Sequence, residues 1–244
     1  MTGLVLYNRQ FKPRWHMTAL TILAIAFFVH LGSWQLQRAA EKQQMIANEA
    51  QLSNQAAVLW EPGMANPGQY QPVALQGFLL PDVLLLDNQH NHHQFGYDVL
   101  SPMQLSSGGV VLIDRGWIMG DPARQQFPDV ITPVHQLTLS GQAYYPSDKV
   151  RVLGQILEKK QKNLAIIEKI DTHLISQFLH KSVYPFIIRL SPDEAHGYVR
   201  EWPVVSMPPE RHKAYAVQWF AMALAILAIF IGLNLKKLDE QSET

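Results

Sequence analysis

The chain has 244 residues, is 48% hydrophobic and only 16% charged, and its 20 Lys and Arg balance its 20 Asp and Glu to a net charge of zero. Neutrality at this charge density argues against a basic nucleic-acid binder and against a disordered chain, while the length allows one or two domains with a sizeable core. The absence of cysteine removes disulfide scaffolds, thiolate-held zinc or iron–sulfur clusters and thiol catalysis, leaving ten histidines as the strong nitrogen ligands.

Residues 1–16 form a basic tail with Arg9, Lys12 and Arg14 and no acid. Residues 17–36, MTALTILAIAFFVHLGSWQL, carry no charge and at 1.5 Å per residue reach about 30 Å, the hydrocarbon thickness of a bilayer. The run exceeds a signal-peptide h-region of roughly 7–15 residues and no small-x-small cleavage site follows, so it reads as a retained anchor. A buried core helix is the alternative. Residues 37–55 are helix-permissive and extend the span out of the membrane. Residues 60–72, with three prolines and two glycines, read as loop.

Segments 73–80, 83–87, 95–100, 109–118 and 136–145 are rich in Val, Leu, Ile or aromatics and bounded by Pro, Gly, Asn or Asp, which predicts strands. Residues 158–169 carry no clear period. Asp171 is a plausible N-cap for a short helix through His180, with Pro185 closing the region. Residues 186–190 and 198–202 read as two last strands joined by SPDEAHG. Closely spaced strands without helical crossovers favour an antiparallel sheet, sandwich or barrel with a minor helix.

Residues 214–235, AYAVQWFAMALAILAIFIGLNL, form a second uncharged run, followed by Lys236 and Lys237 in a tail over 236–244. The positive-inside rule keeps both tails in the cytoplasm. Residues 37–213 are then extracytoplasmic, in the periplasm of a bacterial-type cell or the intermembrane space of an organelle. The fold class expected is an α+β membrane protein: two transmembrane helices flank an extracytoplasmic, mostly antiparallel β domain with a minor helix.

Several motifs occur in order: LGSWQLQR (31–38), GF (77–78), LLLDNQ (84–89), FGYDVLSPMQL (95–105), GGVVLIDRGWI (108–118), YPFIIRLS (184–191), GYVREW (197–202) and RHKAYAVQWF (211–220). Together they resemble the surfeit locus protein 1 family over roughly residues 15–235. The resemblance implies an assembly factor in the inner membrane that assists haem a insertion into the largest subunit of cytochrome c oxidase. Haem a is then a transient cofactor, and haem a synthase a candidate partner. There is no GxSxG elbow, P-loop, HExxH or dinucleotide fingerprint, so nothing argues for an enzyme. A cofactor-free scaffold bracing the oxidase subunit is the alternative of a different class.

His212 stands at the outer mouth of the second span, and Tyr215, Trp219 and Met222 follow on one helical stripe. An imidazole above aromatic faces suits a haem seat: His212 ligates the iron, and Tyr215 and Trp219 pack on the porphyrin. His212 also coincides with the haem histidine that the resemblance implies. The alternative is an interfacial aromatic belt. Arg211 beside it suits a haem propionate or a lipid phosphate of the bilayer.

His30 lies within the first span, roughly 9 Å below its outer boundary, with Trp34 and Gln37 following. It is a candidate second ligand, or a neutral histidine bonded to a carbonyl of the partner span. On these boundaries it sits about 12 Å from the depth of His212, which favours a single axial ligand. In QHNHHQ, His90, His92 and His93 could bind copper or zinc, but the run lies between two strands with no carboxylate or Met at ligand spacing, which favours an ordinary turn. Asp114, Arg115 and Trp117 of DRGW read either as an oxidase-contacting surface or as an Arg–carboxylate pair beside a closely packed Gly116. Arg189 and Arg200 read the same way.

Overall fold

In the computed structural model the described residues are 5–6, 9–106, 108–147, 152 and 154–237. Residues 1–4, 7–8 and 238–244 of the two expected tails lie outside them. In chain order the elements are β1 (Val5–Leu6), β2 (Arg9–Phe11), α1 (Trp15–Ser53), β3 (Val58–Leu59), β4 (Pro72–Leu79), β5 (Val83–Asn91) and β6 (Gln94–Leu105). After these come β7 (Val110–Met119), β8 (Leu137–Tyr144), β9 (Leu157–Gln161), β10 (Leu164–Ile167), α2 (Thr172–Leu179), β11 (Val183–Leu190), α3 (Pro209–Asn234) and β12 (Leu235–Lys237). The chain divides into two units: one from its two ends, up to Asn48 and from Val204, and one from Glu49–Pro203.

In the first unit, α1 and α3 are each long and apolar enough to cross a bilayer. The 39 residues of α1 run well beyond the expected span. Its later part, RAAEKQQMIANEAQ, consists largely of strong helix formers and carries an exposed Arg38–Glu41 ion pair at 2.7 Å. Pro209 opens α3 at its first helical turn, where the missing N–H costs nothing. Small residues let the helices approach: a Cβ on Gly32 would lie 2.6 Å from the Phe220 ring, and Ala216 and Ala223 are buried. Phe28 stacks on Trp219 at 5.7 Å. β1, β2 and β12 form a small antiparallel sheet in which Arg9–Phe11 pair with Leu235–Lys237.

The second unit is a barrel with an extension. Strands β4, β8, β11, β7 and β6 are neighbours in that order, and β6 pairs back onto β4 to close the ring. Closure runs through Gly77↔Leu105, Phe78↔Gln104 and Leu79↔Met103. A Cβ on Gly77 would sit 2.2 Å from the Gln104 carbonyl oxygen, so only glycine permits this approach. Along β4, Leu75 and Leu79 are buried while Gln76 and Phe78 are exposed, the period-two pattern of a strand with one face in a core. Val73, Leu75, Met103, Val111, Phe186 and Ile188 belong to one core cluster together with Trp60. From β6 the sheet continues through β5, β10 and β9, and α2 adds Ile175 to a second cluster with Leu84, Leu100 and Ile187.

The pairing is more mixed than the sequence suggests: β3–β4, β10–β5 and β11–β7 are parallel. Both of the last two pairs are joined by long connections, β5 to β10 through three intervening strands and the hairpin's β9, and β7 to β11 by a path that includes α2, as parallel neighbours need. Residues 158–169 form the β9–β10 hairpin, whose outer strand LEKKQ is mostly exposed. The short helix forms with Asp171 as its cap, accepting from the N–H groups of His173 and Leu174, and ends on His180 in the left-handed region. Pro185 lies inside β11 rather than closing the region. Having no N–H, it breaks the ladder to β7, whose register shifts between Val183 and Ile187.

The predicted strand at 198–202 does not form. Only Val199 bridges to Trp117. The next residue, Arg200, turns its side chain to the carbonyls of Ser191 and Glu194.

Candidate functional site

The expected stripe on α3 splits. His212 and Trp219 meet α1, through Gln35 and Phe28 respectively, whereas Tyr215 and Met222 are exposed. His212 Nδ1 lies 2.7 Å from Gln35 Oε1. That oxygen can only accept, so Nδ1 carries the proton and Nε2 keeps its lone pair. Nε2 is sealed from solvent and has no hydrogen-bond partner among the described residues. Trp219 follows His212 by seven residues, about 10 Å along the axis, with its ring engaged by Phe28. Arg211 is exposed, and its guanidinium has no ion pair among the described residues. His30 is exposed on α1. Since His212 is level with Gln35, His30 lies five residues away in depth, about 7.5 Å rather than the 12 Å expected from the sequence.

In the barrel unit, Asp98 (β6), Asp114 (β7) and Arg189 (β11) border one cavity of about 290 Å³. Burial pushes the Asp98 carboxyl up to about 6, against the pull of Arg189. Asp114, 3% exposed, is pushed up further by burial and by the Asp98 charge. Arg189 and a hydrogen bond from the Gly116 N–H act the other way. The folded state thus holds these protons more tightly than the unfolded chain. Stability is fully present below about pH 4 and falls as the pH rises toward 6 and beyond. For Asp98 the raised value corresponds to about 3 kcal/mol. That cost is already net of the attraction to Arg189; Asp98→Asn removes it but buries an amide in its place, so a net gain of about 1–2 kcal/mol is expected at pH 7. Denaturant melts at pH 4, 6 and 8 should show a flatter profile for the variant, and a parallel profile would contradict this origin.

Arg115 is buried, but no carboxylate pairs with it among the described residues. Its Nε donates to His196 O at 2.7 Å, Nη1 to Ser101 Oγ at 3.3 Å and Nη2 to Ile131 O at 3.0 Å. It therefore pins two loops by their carbonyls, which corrects the expected Arg–carboxylate pair. Arg200 likewise donates to carbonyls, of Ser191 at 2.6 Å and Glu194 at 2.7 Å. The close approach at Gly116 holds: its φ is +102° and an added Cβ would lie 2.5 Å from Val199 O. One ion pair that sequence reasoning missed joins Arg124 to the buried Asp87. Asp121 accepts backbone N–H groups of Ala123, Gln125 and Gln126, and these hold its carboxyl below the usual range. The spacing D-P-A-R was its only sequence signal.

The QHNHHQ run is the β5–β6 turn: Asn91 pairs with Gln94, and His92 and His93 between them have φ of 45° and 65°, as a two-residue primed turn requires. Only His92 has an acidic partner, Glu201 at 3.7 Å, and both are exposed. Among the described residues no group of three or more His, Asp or Glu is placed to hold a metal ion. Replacing His90 by Ser and His92 and His93 by Asn, which tolerates positive φ, should leave the melting temperature of the purified protein within about 1 °C. A larger drop would give the run a structural role of its own.

A SURF1 family model matches residues 22–224. The chain is similar to a SURF1-like protein of Rickettsia felis, 22% identical over 224 residues that cover 87% of this chain and 94% of that protein. A SURF1-like protein of Rickettsia conorii is 24% identical over 220 residues, covering 87% and 88%. One of Monosiga brevicollis is 24% identical over 232 residues, covering 84% and 83%.

Proposed function

Because the chain belongs to the SURF1 family, which is linked to cytochrome c oxidase assembly and is not known for enzymes, we propose that it carries haem a on His212 and assists its insertion into the largest oxidase subunit. The observation that carries this reading is the imidazole itself. Gln35 fixes the proton on Nδ1, and Nε2 is a buried lone pair with no other use. That is the donor an iron with a free axial position takes, oriented by a hydrogen bond on the opposite ring nitrogen.

Around it, exposed Tyr215 offers an aromatic face and Arg211 a guanidinium for a propionate. Trp219 supports the seat indirectly, by holding α3 against α1 through Phe28. His30 is not needed as a second ligand, and a single protein ligand suits a carrier that must release its cargo. In this reading the protein lies in the inner membrane with both ends cytoplasmic. The barrel unit is periplasmic and faces the oxidase subunit and haem a synthase.

The sealing of Nε2 favours one other reading, a cofactor-free scaffold that braces the oxidase subunit. The absorption spectrum of detergent-purified protein from cells making haem a separates the two. A Soret band is expected for the carrier, and its absence would establish the scaffold.

A further inference from the structure

Arg189 is unusual among the arginines of the barrel unit. Its guanidinium carbon lies 3.6 Å from the Tyr144 ring centroid and 5.3 Å from that of Trp202. Its Nε is buried and has no acceptor. Asp98 and Asp114 are close enough to feel its charge, yet its side chain forms no hydrogen bond or ion pair with any described residue. A buried Nε–H without an acceptor is costly. Arg115 and Arg200, by contrast, are both supplied with carbonyls.

Arg189 borders a second, larger cavity of about 450 Å³, shared with Arg200 and Trp202 and opening beside Glu49 and Asp193. Arg200 uses Nη1 for the Ser191 and Glu194 carbonyls, and Trp202 donates its Nε1 to Leu190 O at 3.2 Å, so the wall is fixed before anything binds. We infer that this cavity is a binding site for a carboxylate group, seated against the Arg189 guanidinium with Arg200 and Trp202 beside it. Two guanidinium groups call for an oxyanion. The carboxylates of Glu49 and Asp193 at the same cavity oppose a dianion, which selects a singly charged carboxylate over a phosphate. The inference does not depend on His212 or on haem.

The test is a titration of full-length protein, labelled on its arginine side chains, with sodium propionate, read at the Arg189 Nε–H resonance and assigned by its loss in Arg189→Lys. A saturable shift is expected with propionate. Sodium chloride at equal ionic strength should give no such shift, and inorganic phosphate should bind more weakly, because Glu49 and Asp193 repel its second charge. No saturable shift, or the same shift with chloride, overturns the site; equal or tighter phosphate binding overturns the choice of carboxylate. Because these outcomes are read on the wild-type chain, a misfolded variant does not blunt them. A porphyrin dicarboxylate and its dimethyl ester then distinguish the source. Preference for the acid, lost in Arg189→Lys, assigns a tetrapyrrole propionate. Equal binding of both, with propionate still bound, assigns a small free carboxylate.

Discussion

Removal of the imidazole in His212→Ala is expected to abolish the Soret band of the purified protein while membrane insertion and yield stay unchanged. Insertion depends on the apolar run of α3, which the substitution does not touch. The companion variant is Gln35→Leu. It leaves the ligand in place but frees Nδ1, so the tautomer and ring orientation are no longer fixed, and affinity should fall by about 10–100-fold. Trp219→Ala loses the stack on Phe28 and should weaken retention less than either. His30→Ala should leave the spectrum as it is, since its exposed side chain lies about 7.5 Å from the His212 level. Equal losses from His30→Ala and His212→Ala would replace the single ligand by a bis-histidine seat. A full Soret band in His212→Ala would eliminate both.

Opening the barrel should cost more stability than any surface change. In Gly77→Val the new side chain meets the Gln104 carbonyl oxygen, part of the backbone that closes β6 onto β4. Neither strand can yield without giving up the pairing. A loss of about 3 kcal/mol or more is expected, which for a unit of this size lowers the melting temperature by roughly 6–12 °C. Gly68→Ala is the matched control: its nearest neighbour would be the Gln71 side-chain oxygen at 3.7 Å, an ordinary contact. Near-UV circular dichroism on heating compares the two. Equal melting temperatures would mean that β4–β6 closure is not what holds the barrel.

What the sequence reveals is local. Two uncharged runs announce α1 and α3, Asp171 announces α2, and alternating apolar residues announce β4 and β8, each within a few neighbours along the chain. Ring closure is different, because it depends on Gly77 meeting a carbonyl 27 positions away, which no periodicity encodes. The β9–β10 hairpin is hidden because its edge strand is charged. Residues 198–202 look like a strand but spend Arg200 on loop carbonyls. The candidate site is half visible: His212 stands out in an apolar frame, whereas Gln35 is unremarkable until a partner 177 residues away is brought beside it. Asp98 had a signal that was passed over, a carboxylate in the middle of the apolar strand FGYDVL.

The small sheet of β1, β2 and β12 ties the chain's two ends together. A chain made from its N-terminus completes α1 first, and residues 54–208 precede α3, about 8–30 s of synthesis at 5–20 residues per second. Throughout that interval β2 lacks its last strand, Gln35 lacks His212, and Gly32 lacks Phe220. Pairing of Leu235–Lys237 with Arg9–Phe11 therefore waits until residue 237 has been made, and it requires the end of α3 to lie beside the start of α1. A chain that stops before residue 235 leaves the edge of β2 that β12 would cover without its partner.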